Sequence, residues 1–168
     1  MQKLINHSLK EYCLELSAKT PVPGGGSAAA FSAAVAVSLI AMVARYSLGK
    51  SGSAAVDLKI NGILHKAEQI RDRMLELVDE DAQAYLGVVN ARKGPPAEKR
   101  KALKAAVRVP KELGSLCVRA VNLTPYLVKN GNMYLLSDIG VAVEMLASAH
   151  VAAALNVAAN RPERKKRS

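Results

Sequence analysis

One charge-free segment constrains the fold of this chain more than any other feature. Residues 27–44 contain no charged side chain and are rich in alanine. At about 1.5 Å rise per residue, a helix of this length nearly crosses a bilayer core of about 30 Å. The segment lacks the aromatic ends and the leucine content of a typical membrane span. It therefore favours the alternative, a central helix buried on all sides in a bundle, and we expect no membrane association.

A stiff, glycine-rich loop leads into this segment. It reads TPVPGGGS over residues 20–27, with glycines at Gly24, Gly25 and Gly26. Glycine lets the backbone approach a neighbouring group closely, and Ser27 is a suitable N-cap for the helix that follows. The free N–H groups of a helix N-terminus favour an anionic or oxygen-rich group. The loop is thus a candidate binding site, with a simple flexible turn as the alternative.

Apolar periodicity predicts helices along the whole chain and no strand with period two. The predicted helices cover residues 2–18, 27–48, 55–93, 97–129 and 137–160. Pro110 lies inside the fourth and should kink that helix or split it in two. The sequence predicts an all-α, up-down bundle of five to six helices with long central helices. We expect a single domain over residues 1–168, with a basic, disordered tail at 161–168.

The second and last predicted helices are apolar nearly all round. A small monomeric bundle rarely buries two helices completely, so we expect one of them in a subunit interface. The sequence therefore predicts a homodimer held by helix packing. Cys13 and Cys117 form no motif and are typical of a reducing cytosol. The charged, amphipathic N-terminus does not resemble a secretory signal, so a cytoplasmic location is predicted.

The chain carries a net charge of +10, concentrated in residues 92–111 and 161–167. Such charge could attract nucleic acid, an acidic membrane or a polyanionic small molecule. No aromatic cluster or recognition motif accompanies the basic residues, which argues against nucleic acid. No spacing such as HExxH or CxxC occurs, so no metal cofactor is expected.

Asp81 interrupts the apolar stripe of the third predicted helix. That stripe runs through Ile63, Ala67, Ile70, Met74 and Leu77, and it resumes after position 81 at Ala84 and Val88. A carboxylate half-buried in a pocket has a raised pKa and suits acid–base chemistry. The alternative is that Asp81 points to solvent, as its neighbours Asp79 and Glu80 suggest.

Two further residues are candidates on weaker grounds. Asp138 follows Ser137 at the start of the last predicted helix, where a carboxylate either serves a site or caps the helix. Lys50 follows Gly49 in a Gly/Ser loop, where it either steers an anion or is an ordinary surface lysine.

Four separated motifs resemble the formiminotransferase-cyclodeaminase and methenyltetrahydrofolate cyclohydrolase family, over roughly residues 5–160. The first is the 20–27 loop, with its Ala-rich helix and Gly49-Lys50. The others are Asp81-Ala82-x-Ala84-Tyr85, the segment from Ala105/Ala106 to Val109-Pro110, and a C-terminal set. That set comprises Gly131-Asn132, Ser137-Asp138-x-Gly140-Val141-Ala142 and Asn156-Val157.

The resemblance implies an all-helical dimer that acts on a tetrahydrofolate derivative. Cyclodeaminases of the family close 5-formiminotetrahydrofolate to 5,10-methenyltetrahydrofolate with loss of ammonia. Its cyclohydrolases interconvert that product with 10-formyltetrahydrofolate. Both reactions need proton transfer and positioning, without a metal. The resemblance implies that Asp81 and Asp138 are the acid–base and substrate-orienting carboxylates.

The same resemblance implies a set of folate-binding residues and leaves alternatives open. The set comprises Gly24, Gly25, Gly26, Ser27, Lys50, Asn132 and Ser137, with the basic surface attracting the glutamate tail. Two features depart from the family pattern: Arg45, and the basic tail after Asn160. They support the alternative of a non-catalytic helical oligomer, while charge alone supports a basic nucleic-acid-binding bundle.

Overall fold

The structure, a computed structural model, describes residues 3–160 as six α-helices and three short 3₁₀ turns. The helices are α1 (Leu9–Ser17), α2 (Gly25–Ser47), α3 (Ala54–Asn90), α4 (Pro96–Val121), α5 (Thr124–Asn130) and α6 (Leu136–Ala159). No strand occurs among the described residues, which confirms the predicted all-α fold. The predicted tail at 161–168 lies outside them.

Helix α2 is the centre of the bundle. It packs most extensively against α3 and α6, and α4 covers the other side of α3 and α6. Ala33, Ala36, Val37 and Ile40 of α2 are completely buried, and the small side chains let the neighbouring helices approach closely. The predicted central helix is therefore confirmed.

Two helical segments, Gly25–Ser47 and Met133–Ala159, are long and apolar enough to cross a membrane by length and composition. They differ in burial, since 61% of the most apolar stretch is buried in the first and 22% in the second. Helix α6 leaves Val141, Val151 and Leu155 at least half exposed. The second apolar helix thus has an uncovered face within the single chain.

The start of α2 corrects the sequence prediction. The helix begins at Gly25 rather than Ser27, and Gly24 is its N-cap with an extended backbone and no side-chain capping bond. Ser27 is therefore not the N-cap but lies within the first turn, where its side chain is completely buried. Glycine is tolerated at a helix start. Because the helix begins two residues earlier than predicted, Ser27 takes a helical position whose side chain faces the interior of the bundle.

Of the two outcomes predicted for Pro110, a kink or a split of the fourth helix, the split does not occur at this residue. Helix α4 continues through Pro110, and the chain breaks instead at Asn122–Leu123, before α5. A proline inside a helix leaves the carbonyl four residues earlier without a donor. Here that carbonyl, on Ala106, accepts a bond from Nδ2 of Asn160 at 2.9 Å. This bond and the burial of Pro110 offset the loss within the helix.

The N-terminal segment is fastened across α2 and α3. After a 3₁₀ turn at Leu4–Asn6, Ser8 caps α1 through a reciprocal pair of bonds with Glu11. The N–H of Leu4 donates to Oδ1 of the buried Asp79 at 2.6 Å. Tyr12 of α1 is buried, and its hydroxyl lies 2.9 Å from Oγ of Ser27. The single helix predicted for residues 2–18 is thus a turn followed by a helix.

Candidate active site

Asp81 of α3 lies directly against the first turn of α2. A Cβ atom added to Gly26 would come 2.1 Å from Oδ1 of Asp81, a distance that no side chain tolerates. The backbone N–H of Ser27 lies near the Asp81 carboxylate and favours its charged form. The predicted close approach of the glycine loop is therefore real, and the anion at this helix N-terminus is a carboxylate of the protein itself.

Burial raises the pKa of Asp81 above the ordinary value of an aspartate. The nearby Ser27 N–H lowers the pKa of Asp81, and its effect is smaller than that of burial. Asp81 is half-buried and does not point freely to solvent. A carboxyl group with a raised pKa at a cavity wall can exchange a proton with a bound molecule.

The cavity beside Asp81 has a volume of about 310 Å³ and lies between the start of α2, the C-terminal part of α3, the middle of α4 and the end of α6. Gly24, Gly25 and Gly26 form one wall, and apolar side chains from α3 form another. The polar groups are Asp81, Tyr85, Asn156 and Asn160. Few polar groups in an apolar recess are typical of a small-molecule site.

Sequence reasoning did not select the two asparagines as site residues. Nδ2 of Asn156 donates to the Ala152 carbonyl at 3.0 Å, and Nδ2 of Asn160 donates to the Ala106 carbonyl. Asn156 gave a signal, since it is a polar residue in an apolar helix. Asn160 gave none, because its partner carbonyl becomes available only through Pro110 on another helix.

The remaining predicted site residues lie at the opposite end of α2. Helix α2 has 23 residues and so spans about 33 Å. At its C-terminal end, the N–H of Asn132 donates to Oγ of Ser47 at 2.8 Å. Lys50 is exposed in the adjoining loop, and Ser137 and Asp138 begin α6 nearby, without a capping bond from Asp138. Within one chain, this group does not meet the cavity.

The formiminotransferase-cyclodeaminase family model matches residues 8–168. The chain belongs to this family. Among the relatives is a methenyltetrahydrofolate cyclohydrolase of Methylorubrum extorquens, which is 30% identical over 92% of this chain and 79% of its own. The formimidoyltransferase-cyclodeaminase of Rattus norvegicus is also 30% identical, over 95% of this chain. This chain spans 31% of the rat protein.

A solved structure supports the fold. The formiminotetrahydrofolate cyclodeaminase of Thermotoga maritima superimposes with a TM-score of 0.89 at 29% identity. The alignment covers 92% of this chain and 78% of that one. Both activities thus occur among the relatives within the family.

The family motifs fall into two groups in space. The glycines of the 20–27 loop, Asp81, Ala106 and Asn156 line the cavity, whereas the predicted binding residue Ser27 is completely buried and does not line it. Lys50, Asn132 and Asp138 belong to the far end of α2. The departure at Arg45 does not reach the cavity, because that side chain is exposed and pairs with Glu68 of α3. Among residues 3–160, no three His, Cys, Asp or Glu side chains are placed to hold a metal ion.

A basic groove adjoins the cavity on the outer face of α4. Its volume is about 790 Å³, and its cationic residues are Arg100, Lys104, Arg108 and Lys111. Arg108 pairs with Glu80 at 2.7 Å and with Glu112 at 3.1 Å. Asn160 lines both the groove and the cavity, so the two recesses meet at this residue.

Proposed function

We propose that this chain is a cytoplasmic folate enzyme that closes 5-formiminotetrahydrofolate to 5,10-methenyltetrahydrofolate with release of ammonia. The observation that carries the proposal is the Asp81 carboxyl, held by the glycine loop on a cavity wall and raised in pKa by burial. The named activities of the relatives support the folate substrate. Methenyltetrahydrofolate cyclohydrolase is the second candidate, favoured by the Methylorubrum relative.

The proposed reaction requires one proton donor at the reacting carbon. N10 of the folate adds to the carbon of the protonated formimino group, CH=NH₂⁺, and the resulting tetrahedral carbon carries an NH₂ group. The bond from that carbon to the departing nitrogen then breaks, and the nitrogen leaves as ammonia after taking a proton from Asp81. The N10 proton is lost to a base or to water. In the cyclohydrolase reaction, the ionised Asp81 would take a proton from the water that adds to the methenyl carbon.

The size of the cavity suggests which part of folate it holds. A volume of about 310 Å³ is at the lower end of the range for small-molecule sites, which suits a pterin ring better than a whole folate. The amide edge of a pterin needs both donors and acceptors, and Asn156, Asn160 and the Ala106 carbonyl offer both. The glutamate tail would then leave past Asn160 along the cationic groove of α4.

We further propose that the active form is a homodimer in which α6 packs against α6 of a second copy. Between Gly140 and Ala158 the chain has one charged residue, Glu144, although Val141, Val151 and Leu155 are exposed. Helix α6 begins near Asn132 and ends at the cavity. An antiparallel pair related by a twofold axis places the start of one α6 beside the cavity of the other copy.

Such a dimer would bring the two groups of family motifs together. Asp138 and Ser137 of one copy would approach the cavity that holds Asp81 in the other copy, with Lys50 and Asn132 behind them. Asp138 would then orient the substrate while Asp81 transfers the proton. Each site would be incomplete in a single chain.

The deciding experiment is to add 5-formimino- or 10-formyltetrahydrofolate to the purified chain and to follow methenyltetrahydrofolate by absorbance. We expect product from the formimino substrate, and the Asp81→Asn variant should lose about 10²- to 10⁴-fold in kcat with an unchanged helical circular dichroism spectrum. Product from the formyl substrate alone would make the chain a cyclohydrolase. No product from either would favour the non-catalytic oligomer or, if binding to DNA or RNA is strong and salt-dependent, the basic binding bundle.

The dimeric site is tested by mixing two inactive variants, Asp81→Asn and Asp138→Asn. If each site draws one aspartate from each copy, mixed dimers contain one intact site, and the mixture should recover about a quarter of wild-type activity. Two variants that stay inactive after mixing, although mixed dimers form, would contradict sharing of the site. A monomer by light scattering would contradict the dimer itself.

A further inference from the structure

Tyr12 is a buried polar residue behind the cavity rather than in its wall. It is 6% exposed, its ring packs tilted against Phe31 at 5.3 Å, and its hydroxyl lies 2.9 Å from Oγ of Ser27. Ser27 is completely buried, so this hydroxyl pair is shielded from water. A buried hydroxyl that lost its partner would cost free energy, and each hydroxyl therefore fixes the other.

Ser27 joins this pair to Asp81. Its side chain contacts Tyr12, while its main-chain N–H lies near the Asp81 carboxylate and favours the charged form. Gly26, one residue earlier, is in contact with the same carboxylate. The position of the Asp81 carboxyl therefore depends on where the first turn of α2 lies, and one anchor of that turn is Tyr12.

We propose that Tyr12 is a positioning residue for the reaction: its hydroxyl, through Ser27, holds the first turn of α2 against the Asp81 carboxyl. This inference rests on the proposed function only in so far as Asp81 transfers the proton. Tyr12 itself does not contact the cavity. It belongs to α1, a helix that contributes no other side chain to the site.

The groups around Asp81 make its titration a clean readout of this contact. Tyr12 faces it from α1 and Tyr85 from its own helix, while Asp79 is held by the Leu4 N–H. Cavity-lining residues of α2, α4 and α6 are uncharged among the described residues. Burial raises the pKa of Tyr12, so the phenol stays protonated at neutral pH and retains a hydrogen to donate.

The test compares Tyr12→Phe, Ser27→Ala and the double variant with the wild type. Without the hydroxyl pair, the first turn of α2 holds the Ser27 N–H less firmly beside the carboxylate. Since that N–H favours the charged form, the pKa of Asp81 should rise in both single variants. We expect kcat to fall roughly five- to tenfold with little change in KM, and the double variant to be no worse than either single one.

The pKa of Asp81 is measured by ¹³C NMR titration of its carboxyl carbon, assigned with Asp81→Asn, and the pH profile of kcat is recorded in parallel. Tyr126→Phe is the matched control. Tyr126 lies on α5, its ring faces the ammonium group of Lys59 on α3, and it does not line the cavity. This variant should leave the pKa of Asp81 and the pH profile of kcat unchanged. An Asp81 pKa that does not move in either single variant, or effects that add in the double variant, would overturn the proposal. If the wild type turns over neither folate, the NMR titration still decides it.

Discussion

The two ends of α2 are built by opposite means. At the N-terminal end, Gly24 to Gly26 bring the bare backbone against Asp81, and a cavity remains beside it. At the C-terminal end, Ser47 closes the structure: its Oγ donates to the Val43 carbonyl at 2.7 Å and accepts the Asn132 N–H. One end holds a carboxyl group with a raised pKa next to open space, and the other satisfies its polar groups internally.

This difference separates a site from a structural joint. A buried carboxylate is costly to the folded state, whereas a buried serine with two hydrogen bonds stabilises it. Substitutions at the first end should therefore change chemistry more than stability, and substitutions at the second should do the reverse. Three measurements test this contrast, in order of decreasing effect.

Gly26→Ala should give the largest effect, at the N-terminal end. The added Cβ would lie 2.1 Å from Oδ1 of Asp81, so the carboxyl group or the helix start must move. We expect a roughly 10- to 100-fold loss of kcat, since displacement of a reacting group by about 1 Å can cost that much. Gly62→Ala on α3 is the control, because Gly62 does not line the cavity and its added Cβ meets no neighbouring element of the described chain within 4 Å. Equal losses in the two variants would show that the exchange of glycine for alanine, rather than contact with Asp81, matters.

Ser47→Ala should act on stability at the C-terminal end. The substitution leaves the Asn132 N–H without its acceptor, and we expect the free energy of unfolding in urea to fall by about 1–2 kcal/mol. Ser38→Ala is the control. The Ser38 hydroxyl also donates to a carbonyl four residues earlier, at 2.9 Å, but unlike the Ser47 hydroxyl it accepts no bond from a backbone N–H of the described residues. A Ser38 variant that is equally destabilised would assign the effect to the helix rather than to the joint.

The pH dependence of stability should show the smallest effect, again at Asp81. Because the folded-state pKa is raised, the folded protein binds more protons than the unfolded chain between the ordinary pKa of 3.8 and the raised value. Stability should therefore fall as pH rises through that interval. Asp81→Asn removes this contribution, so the variant should be more stable than the wild type above the interval, and the gap should close below it. Parallel stability curves for the two proteins would contradict the raised pKa.

The sequence was most informative where a pattern was interrupted. Asp81 was identified because a carboxylate occupied an apolar position of a regular stripe, and burial of the flanking Leu77 and Ala82 explains why that stripe is meaningful. The glycine loop predicted a close approach, although not which group it approaches. The all-α bundle could be predicted because α3 and α4 each have one apolar face with helical spacing. Helices α2 and α6 are long segments that are apolar nearly all round.

The sequence was misleading where three-dimensional context overrides a local preference. Ser27 has the residue type of an N-cap, but Tyr12 offers it a better partner inside the bundle. Pro110 looked like a break, but the Ala106 carbonyl found a donor on another helix. Lys50, Asn132 and Asp138 share motifs with the family, yet a linear pattern does not state which chain of an assembly they serve. Their site roles remain predictions.

The bond between Asn160 and Ala106 has an evolutionary consequence. Asn160 supplies the donor that Pro110 lacks, so we expect substitutions at these two positions, fifty apart in sequence, to affect each other. A variant that restores an N–H at position 110 would give the Ala106 carbonyl a hydrogen-bond donor from within α4. The side-chain amide of Asn160 would then no longer be needed as a donor. Loss of the amide at 160 alone should therefore be disfavoured, whereas replacement of the proline at 110 would leave position 160 free to vary.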